Sequence, residues 1–180
     1  MATTLVTNIG GSSRKYALYR DGQSVMEFNF EATESGFEVC THKKGSQQTC
    51  ELLSSTDTKV TFAIVARAVN LYLNETKDSL SVVGVRILAP GSQFQKHAHI
   101  DDVFLSALQG KSASTPLHVP ETIKEILEIK KSFPDVRIVG VSDTVFHKTL
   151  PQCARDYGIP HADAEVYDIH RFGCHGLSVA

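Results

Sequence analysis

The 180-residue sequence has no excess of charge of either sign: 18 Lys and Arg stand against 20 Asp and Glu, a formal charge of −2 with histidine neutral. It also has no long run of Lys or Arg, and so offers no electrostatic footprint for a nucleic-acid backbone or an anionic membrane surface. The four cysteines, Cys40, Cys50, Cys153 and Cys174, include no C-x-x-C pair and no tight Cys/His spacing of the kind that reads as structural zinc. Two disulfides stay formally open, but a chain of this length does not need them, and the expectation is reduced thiols in a soluble, cytoplasmic protein. No stretch approaches the roughly 20 apolar residues of a membrane span. The opening MATTLVTNIGG lacks the charged and long apolar regions of a secretory leader. Internal repeats and low-complexity tracts are absent, which removes solenoids and disordered tails as descriptions of the chain.

What is present is an ordinary globular composition, 42% hydrophobic and 21% charged. A chain of this size buries roughly 70% of its unfolded surface, enough for one complete core. Along the chain the hydrophobic period changes at clear points. A β-branched run over Thr3 to Asn8 leads into the turn cluster Gly10-Gly11-Ser12-Ser13. Arg14 to Arg20 alternates again before Asp21-Gly22, a hairpin signal between two alternating runs. Period two continues through Gln23 to Ala32, Gly36 to His42 and Gln47 to Leu53, so the first third reads as an antiparallel meander. From Thr56 the apolar residues fall at helical spacing to about Asn74, behind Thr and Asp capping residues. The buried-strand run Leu80 to Leu88 follows, then a short helix near Asp101 to Leu108, a stronger one from Pro120 to about Lys131, and a strand over Val136 to Ser142 that ends at Asp143. Strands, helix, strand, helix, strand make an α/β domain, whose ligands gather at the carboxyl ends of the strands. Residues 1–150 read as this domain. Residues 151–180, with a short helical stretch (QCARDY) and a His/Asp-rich tail, lack an element long enough to close a core of their own and read as a linker and the truncated start of a second domain.

Several residues are candidates for chemistry. A Gly/Ser turn between strands can aim backbone N–H groups and hydroxyls at phosphate oxygens, although a strand, not a helix, follows it, so neither the Walker A nor the dinucleotide pattern applies. Asn8 before it and Lys15 after it strengthen the phosphate reading over that of a plain turn. Arg86 lies inside an apolar strand; it is either an edge arginine facing solvent or a guanidinium held in a cleft to fork onto a carboxylate or phosphate. Asp143, at the end of a buried strand, is poorly explained by packing and points to a metal or phosphate partner more than to a cap. Among the histidines, His97 and His99 fall in a polar loop and read as solvated, whereas His118, His147 and His175 sit in backbone-restricted segments. No H-x-x-x-H pair and no G-x-S-x-G elbow occur.

The segments NIGGSSRKY (Asn8 to Tyr16), GVRILAPG (Gly84 to Gly91), PLHVP (Pro116 to Pro120), SDTVFHKTLP (Ser142 to Pro151) and RFGCHGLS (Arg171 to Ser178) resemble, in order and spacing, those of the acetate kinase family. The resemblance implies the RNase H-like, actin-like ATPase fold shared by acetate and sugar kinases, heat-shock ATPases and actin. In that fold two similar domains close on a nucleotide and metal. It further implies transfer of the ATP γ-phosphoryl group to acetate, with Mg2+ and ATP as cofactors, a small carboxylate as acceptor, and a C-terminal half or a homodimeric partner. Carried over by position, Asn8, Ser12, Ser13 and Lys15 match the phosphate and metal segment. Arg86 matches the arginine that orients the carboxylate, and Asp143 the catalytic aspartate that helps place the metal. His118 and His175 match histidines along the phosphoryl path, with His175 catalytic, while Leu88, Leu117 and Cys174 match residues around the acid.

The departures from the family pattern are specific. Gly11 stands for the first serine of the turn, Arg14 for an apolar residue, Val85 and Ala89 for two histidines, Pro90 for a glycine, Val119 for an asparagine and Cys174 for a phenylalanine. The small Cys174 side chain is expected to loosen the acid pocket, so that Cys174→Phe tightens acetate use relative to longer acids. Family members run to roughly twice this length, so the chain alone is expected not to turn over. The competing expectation is a noncatalytic binding or regulatory remnant of the same fold.

Overall fold

A computed structural model describes residues 2–151 and 157–169, apart from the side chains of 146–148. Eight strands form one sheet: β1 (Thr3–Ile9), β2 (Ser13–Arg20), β3 (Gln23–Thr33), β4 (Gly36–Lys43), β5 (Thr49–Leu53), β6 (Leu80–Ile87), β7 (Ala98–His99) and β8 (Arg137–Ser142), in the order β5-β4-β3-β2-β1-β6-β8-β7. The first five are the expected antiparallel meander. At the β2–β3 hairpin Asp21 and Gly22 both take positive φ, 48° and 79°, the backbone that lets a two-residue loop follow the strand twist. β6 and β8 then run parallel to β1, and parallel neighbours require crossovers. These are supplied by α1 (Thr58–Thr76) before β6 and by α2 (Asp102–Gln109) and α3 (Val119–Ser132) before β8.

Local chemistry accounts for the helix ends. Asp57 caps α1 by accepting the N–H of Lys59 at 3.0 Å, and Asp101 caps α2 by accepting that of Phe104 at 2.7 Å, satisfying donors the helix leaves unpaired. α3 tolerates Pro120 in its first turn and carries Lys130 and Lys131 in its last, as the macrodipole favours.

Strand alternation decides where the core lies. Thr3, Leu5, Thr7 and Ile9 of β1 are buried, and Leu18, Phe30, Val83, Val85 and Ile87 join them on the same side. Phe62 and Val69 of α1 and Ile126 and Ile129 of α3 pack over them. The opposite face is more open: Val6 of β1 is 39% and Val141 of β8 42% exposed.

The structure corrects the expectation of reduced thiols for two of the four cysteines. Cys40 of β4 and Cys50 of β5 face each other across the antiparallel ladder and form a disulfide. A register that places two cysteines directly opposite brings their Cβ atoms within bonding reach whatever the size of the core. It fastens β5, an exposed edge strand.

His97 and His99 are exposed, as expected, but their segment is not a free loop. Ala98 and His99 pair with β8, and Nδ1 of His97 accepts the N–H of Ser142 at 3.1 Å. The short helix α4 (His161–Val166) follows. Beyond it the Asp168 carboxylate accepts the N–H of Ser92 at 3.0 Å and lies 4.0 Å from Lys111 Nζ, so this part of the tail rests on the first 150 residues. Among the described residues no helix is long and apolar enough to cross a membrane.

Candidate functional site

Three polar side chains far apart in sequence meet at the carboxyl ends of the three parallel strands. Asn8 is the penultimate residue of β1 and Arg86 that of β6, while Asp143 directly follows β8. Because Thr7 is in register with Val85, Asn8 lies beside Arg86 on the open face. The Arg86 guanidinium donates from Nε to both Asp143 oxygens, at 3.0 and 2.9 Å, from Nη2 to Asp143 Oδ2 at 2.5 Å, and from Nη1 to Asn8 Oδ1 at 2.9 Å. The pair is held but reachable, Arg86 being 24% and Asp143 13% exposed. Of the two readings of Arg86, the solvent-facing one is thereby replaced by a fixed guanidinium with its fork on a carboxylate. Behind it, Ser142 Oγ donates to the Phe94 carbonyl and accepts the N–H of Thr144 at 3.2 Å, fixing the backbone that presents Asp143.

The glycine turn opens at the same end of β1. The Gly10 N–H donates to the Ser13 carbonyl at 2.8 Å. A Cβ on Gly10 would stand 3.1 Å from that carbonyl oxygen, whereas one on Gly11 would meet nothing within 4 Å. Ser12 is exposed and Ser13 half-buried.

Asn8 is also in register with Lys15, Lys15 with Asn29, and Asn29 with Cys40. One file of side chains thus crosses the open face from Val141 and Arg86 through Asn8, Lys15 and Asn29 to the Cys40–Cys50 bond. A groove of about 410 Å³ runs over its central part, lined by Asn8, Lys15, Asn29, Cys40 and His42 among others. Lys15 is exposed and makes no hydrogen bond or ion pair among the described residues, so its charge is available to an anion in that groove.

The remaining expected residues are more scattered. His118 is half-buried at the N-terminus of α3, where its carbonyl accepts from Thr122 Oγ1 at 2.9 Å. Leu88 is half-buried two residues beyond Arg86. Leu117 is 74% exposed, so within this chain it forms no closed apolar pocket. Val85 is fully buried on the helix-facing side and Ala89 is 1% exposed; the two positions that depart from the family's histidines are packing positions in this chain. Cys174 and His175 lie outside the described residues, as does the side chain of His147. Among the described residues no cluster of three or more His, Cys, Asp and Glu offers a ready metal nest. Asn8 and Asp143 nevertheless present oxygen donors on two sides of Arg86, the hard-ligand chemistry that suits a magnesium ion completed by water and phosphate oxygens.

Two groups at or near the site do not stand out in the sequence. Val141, in register with Arg86 on the open face, gives the site an exposed apolar neighbour. The alternation of VRIVGVS carried that information, since a residue next to the buried Ser142 must face the other way. The second is Arg14, which the sequence marks only as a departure from the family pattern. Its side chain turns inward, is 4% exposed, and pairs with Glu125 at 2.9 Å and Glu121 at 2.5 Å. Burial pushes the Glu125 carboxyl up to about 7 from 4.5, against the opposing influence of the Arg14 charge and the nearby Tyr16 hydroxyl. The same burial raises the Tyr16 hydroxyl, with Glu125 adding to it. At Glu121 partial burial pulls upward, but the hydrogen bond and charge of Lys124, the charge of Arg14 and a hydrogen bond with Thr58 outweigh it, leaving the carboxyl below its usual value.

Comparison with known proteins gives the family. The family model of the acetokinase family matches residues 3–180. An acetate kinase of Brachyspira hyodysenteriae is 33% identical over 97% of this chain and 46% of its own length, and acetate kinase 1 of Vibrio cholerae is 31% identical over 97% and 44%. A propionate kinase structure from Francisella tularensis superposes with a TM-score of 0.77 at 28% identity, covering 98% of this chain and 46% of that one. The Porphyromonas gingivalis acetate kinase structure, at 22% identity and a TM-score of 0.76, shares the fold. The chain spans about half the length of the curated relatives it matches. Its α/β sheet with strand-end polar cluster and its sequence match over nearly every residue lead to one assignment: the chain belongs to the acetokinase family.

Proposed function

We propose that this chain supplies the acid- and phosphoryl-binding half of an acetate kinase-like carboxylate phosphotransferase, in which the γ-phosphoryl group of ATP passes reversibly to acetate to give acetyl phosphate and ADP. The observation that carries the reading is the convergence of Arg86, Asp143 and Asn8 at the carboxyl ends of β6, β8 and β1, beside the glycine turn. Phosphoryl transfer to a carboxylate asks a protein to hold two anions close together and to neutralise their charge. Arg86 meets that need through a planar fork matched to carboxylate and phosphoryl oxygens. Acceptor binding requires it to give up part of its hold on Asp143. Ser12, Ser13 and Lys15 offer hydroxyls and a cation to phosphate oxygens, and His118 and His175 extend that lining. Leu88, with Leu117 and Cys174, receives the methyl group, and Val141 joins them from the open face. Asn8 and Asp143 would hold Mg2+, which neutralises phosphate charge when bound.

Residues 1–150 form the kinase domain in this reading, and residues 151–180 begin its connection to a second domain or to a partner copy. A cytoplasmic setting goes with ATP as donor, and a disulfide such as Cys40–Cys50 is uncommon in that compartment. The rival reading is a noncatalytic remnant that retains the anion site; Val85 and Ala89, buried packing residues where the family has histidines, favour it.

The test is hydroxamate detection of acetyl phosphate from ATP, acetate and Mg2+, with and without a supplied C-terminal half. Activity in the assembled form, reduced at least about 10²-fold in Arg86→Ala and in Asp143→Ala, supports the proposal. Absence of acetyl phosphate in every assembled form leaves the remnant.

A further inference from the structure

Arg14 is the second residue of β2, just past the glycine turn, and lies opposite Ile9 at the base of that hairpin. Its side chain faces the helices and is 4% exposed. Nη1 donates to Glu125 Oε2 at 2.9 Å and Nη2 to Glu121 Oε2 at 2.5 Å, the two acceptors standing one helical turn apart on α3. Glu121 is held in turn by Lys124 Nζ at 2.6 Å. Tyr16 Oη, two residues along β2, stands 3.3 Å from Thr61 Oγ1 of α1. His118 precedes Glu121 by three residues, at the N-terminus of α3.

Stability alone is a poor account of this cluster. A buried ion pair gains little over apolar residues of the same volume, because desolvation cancels most of the attraction. A further cost remains: Glu125 Oε1, on a carboxyl only 1% exposed, is buried without a hydrogen-bond partner among the described residues. What a guanidinium fork on two carboxylates provides is a fixed orientation between the elements that carry them.

We propose that Arg14 is a positioning residue, locking the Ser12–Ser13 turn to the His118 end of α3 so that the two form one rigid wall of the anion site. The use of that wall rests on the phosphotransferase reading; the lock itself does not. With it in place, the turn N–H groups, the serine hydroxyls and the first turn of α3 keep their relation before any anion arrives, and no binding free energy is spent on ordering them.

Two measurements on the 180-residue chain separate these layers. Hydrogen exchange followed by mass spectrometry compares the wild type with Arg14→Leu, Arg14→Lys and the double variant Arg14→Leu/Glu125→Leu, which keeps the site apolar and removes the cost of an unpaired Glu125. The expected result is that peptides covering 10–13 and 117–122 exchange about tenfold faster in Arg14→Leu and in the double variant, together and to a similar degree, with Arg14→Lys in between and 66–73 unchanged. If only one of the two segments responds, if all three respond alike, or if the double variant regains wild-type exchange at both segments, the lock is refuted. Should Arg14→Leu fail to fold, the double and lysine variants decide.

Titration with inorganic phosphate by calorimetry is the second measurement. Weakening of about tenfold in the double variant, partly restored in Arg14→Lys, places the lock in the anion site. Equal phosphate affinity in wild type and double variant removes it from that site. If the wild type binds no phosphate, the phosphotransferase reading fails while the exchange result still decides the lock.

Discussion

Replacing Glu125 by glutamine tests whether burial or the neighbouring arginine governs the charge at the centre of this domain. Glu125 is faced by Arg14 and Tyr16 of β2 and by Glu121 and Glu128 on its own helix. Its folded pKa is raised from 4.5 to about 7, with desolvation the largest cause and Arg14 the main opponent. For an acid whose folded pKa lies above the unfolded one, the folded state binds the extra proton between the two values, so stability falls as pH rises through that window. Below pH 4.5 the carboxyl is protonated in both states and contributes nothing; above pH 7 the folded protein must hold a buried carboxylate. One pKa unit corresponds to about 1.4 kcal/mol, so the window is worth roughly 3 kcal/mol. Glutamine preserves shape and an acceptor for Arg14 but does not titrate. Wild type and Glu125→Gln should therefore have nearly equal stability at pH 5 and diverge by pH 8, the variant being more stable by roughly 3 kcal/mol, or about 6–12 °C in Tm for a chain of this size. Urea titrations at four pH values between 5 and 8 measure the divergence. Parallel curves would remove the raised pKa. A wild type that gains on the variant as pH rises would mean that the guanidinium outweighs burial, and desolvation would no longer stand as the dominant cause.

Other outcomes follow from the same geometry. Asp143→Ala takes the bidentate partner from a partly buried guanidinium and should cost about 1–3 kcal/mol. Arg86→Ala should cost a similar amount, and the double variant less than their sum, because the two changes break the same bonds; strict additivity in a denaturation cycle would count against the pairing. Reducing the Cys40–Cys50 bond opens a loop of sequence separation 10 and should lower stability by no more than about 3 kcal/mol. Melts with and without dithiothreitol, alongside a Cys40→Ser/Cys50→Ser control that does not respond, check this. At Gly36 the backbone has φ of +156° and an added Cβ would lie 2.0 Å from the Leu53 carbonyl oxygen. Gly36→Ala should consequently lose more than about 2 kcal/mol, whereas Gly11→Ser, which meets open space, should stay within about 0.5 kcal/mol of wild type. Equal chemical-denaturation midpoints for these two variants would contradict both.

How much of this could be read before the fold was known depended on the range of the interaction. The meander was legible because each of its strands alternates and its tightest turn is written in two adjacent residues, Asp21 and Gly22. The helices were legible from spacing, and α1 also from its Thr and Asp capping residues. The two-residue strand β7 was not, because Ala98 and His99 carry no period and are recruited by the edge of β8. The disulfide escaped for a related reason: cysteines 10 residues apart bond only if the register of β4 on β5 places them opposite, and a slip of one residue would have turned one of them away.

The site shows the same division. Asn8, Arg86 and Asp143 could each be suspected from a polar side chain at a strand end, but their meeting required the strand order β1-β6-β8, which a crossover fixes and no local pattern records. Arg14 is the clearest case. In sequence it shares the period of Tyr16 and Leu18 within RKYALYR, and only its standing in place of an apolar residue sets it apart. Its true direction follows from Ile9 across the hairpin, which is buried, and from two glutamates more than a hundred residues away that meet it inside. A charge on the apolar side of an alternating strand therefore implies a partner of opposite charge on whatever covers that side. In this chain the stripe of α3 that faces the sheet, with Glu121 and Glu125 set among Thr122, Ile126 and Ile129, was the place to look for it.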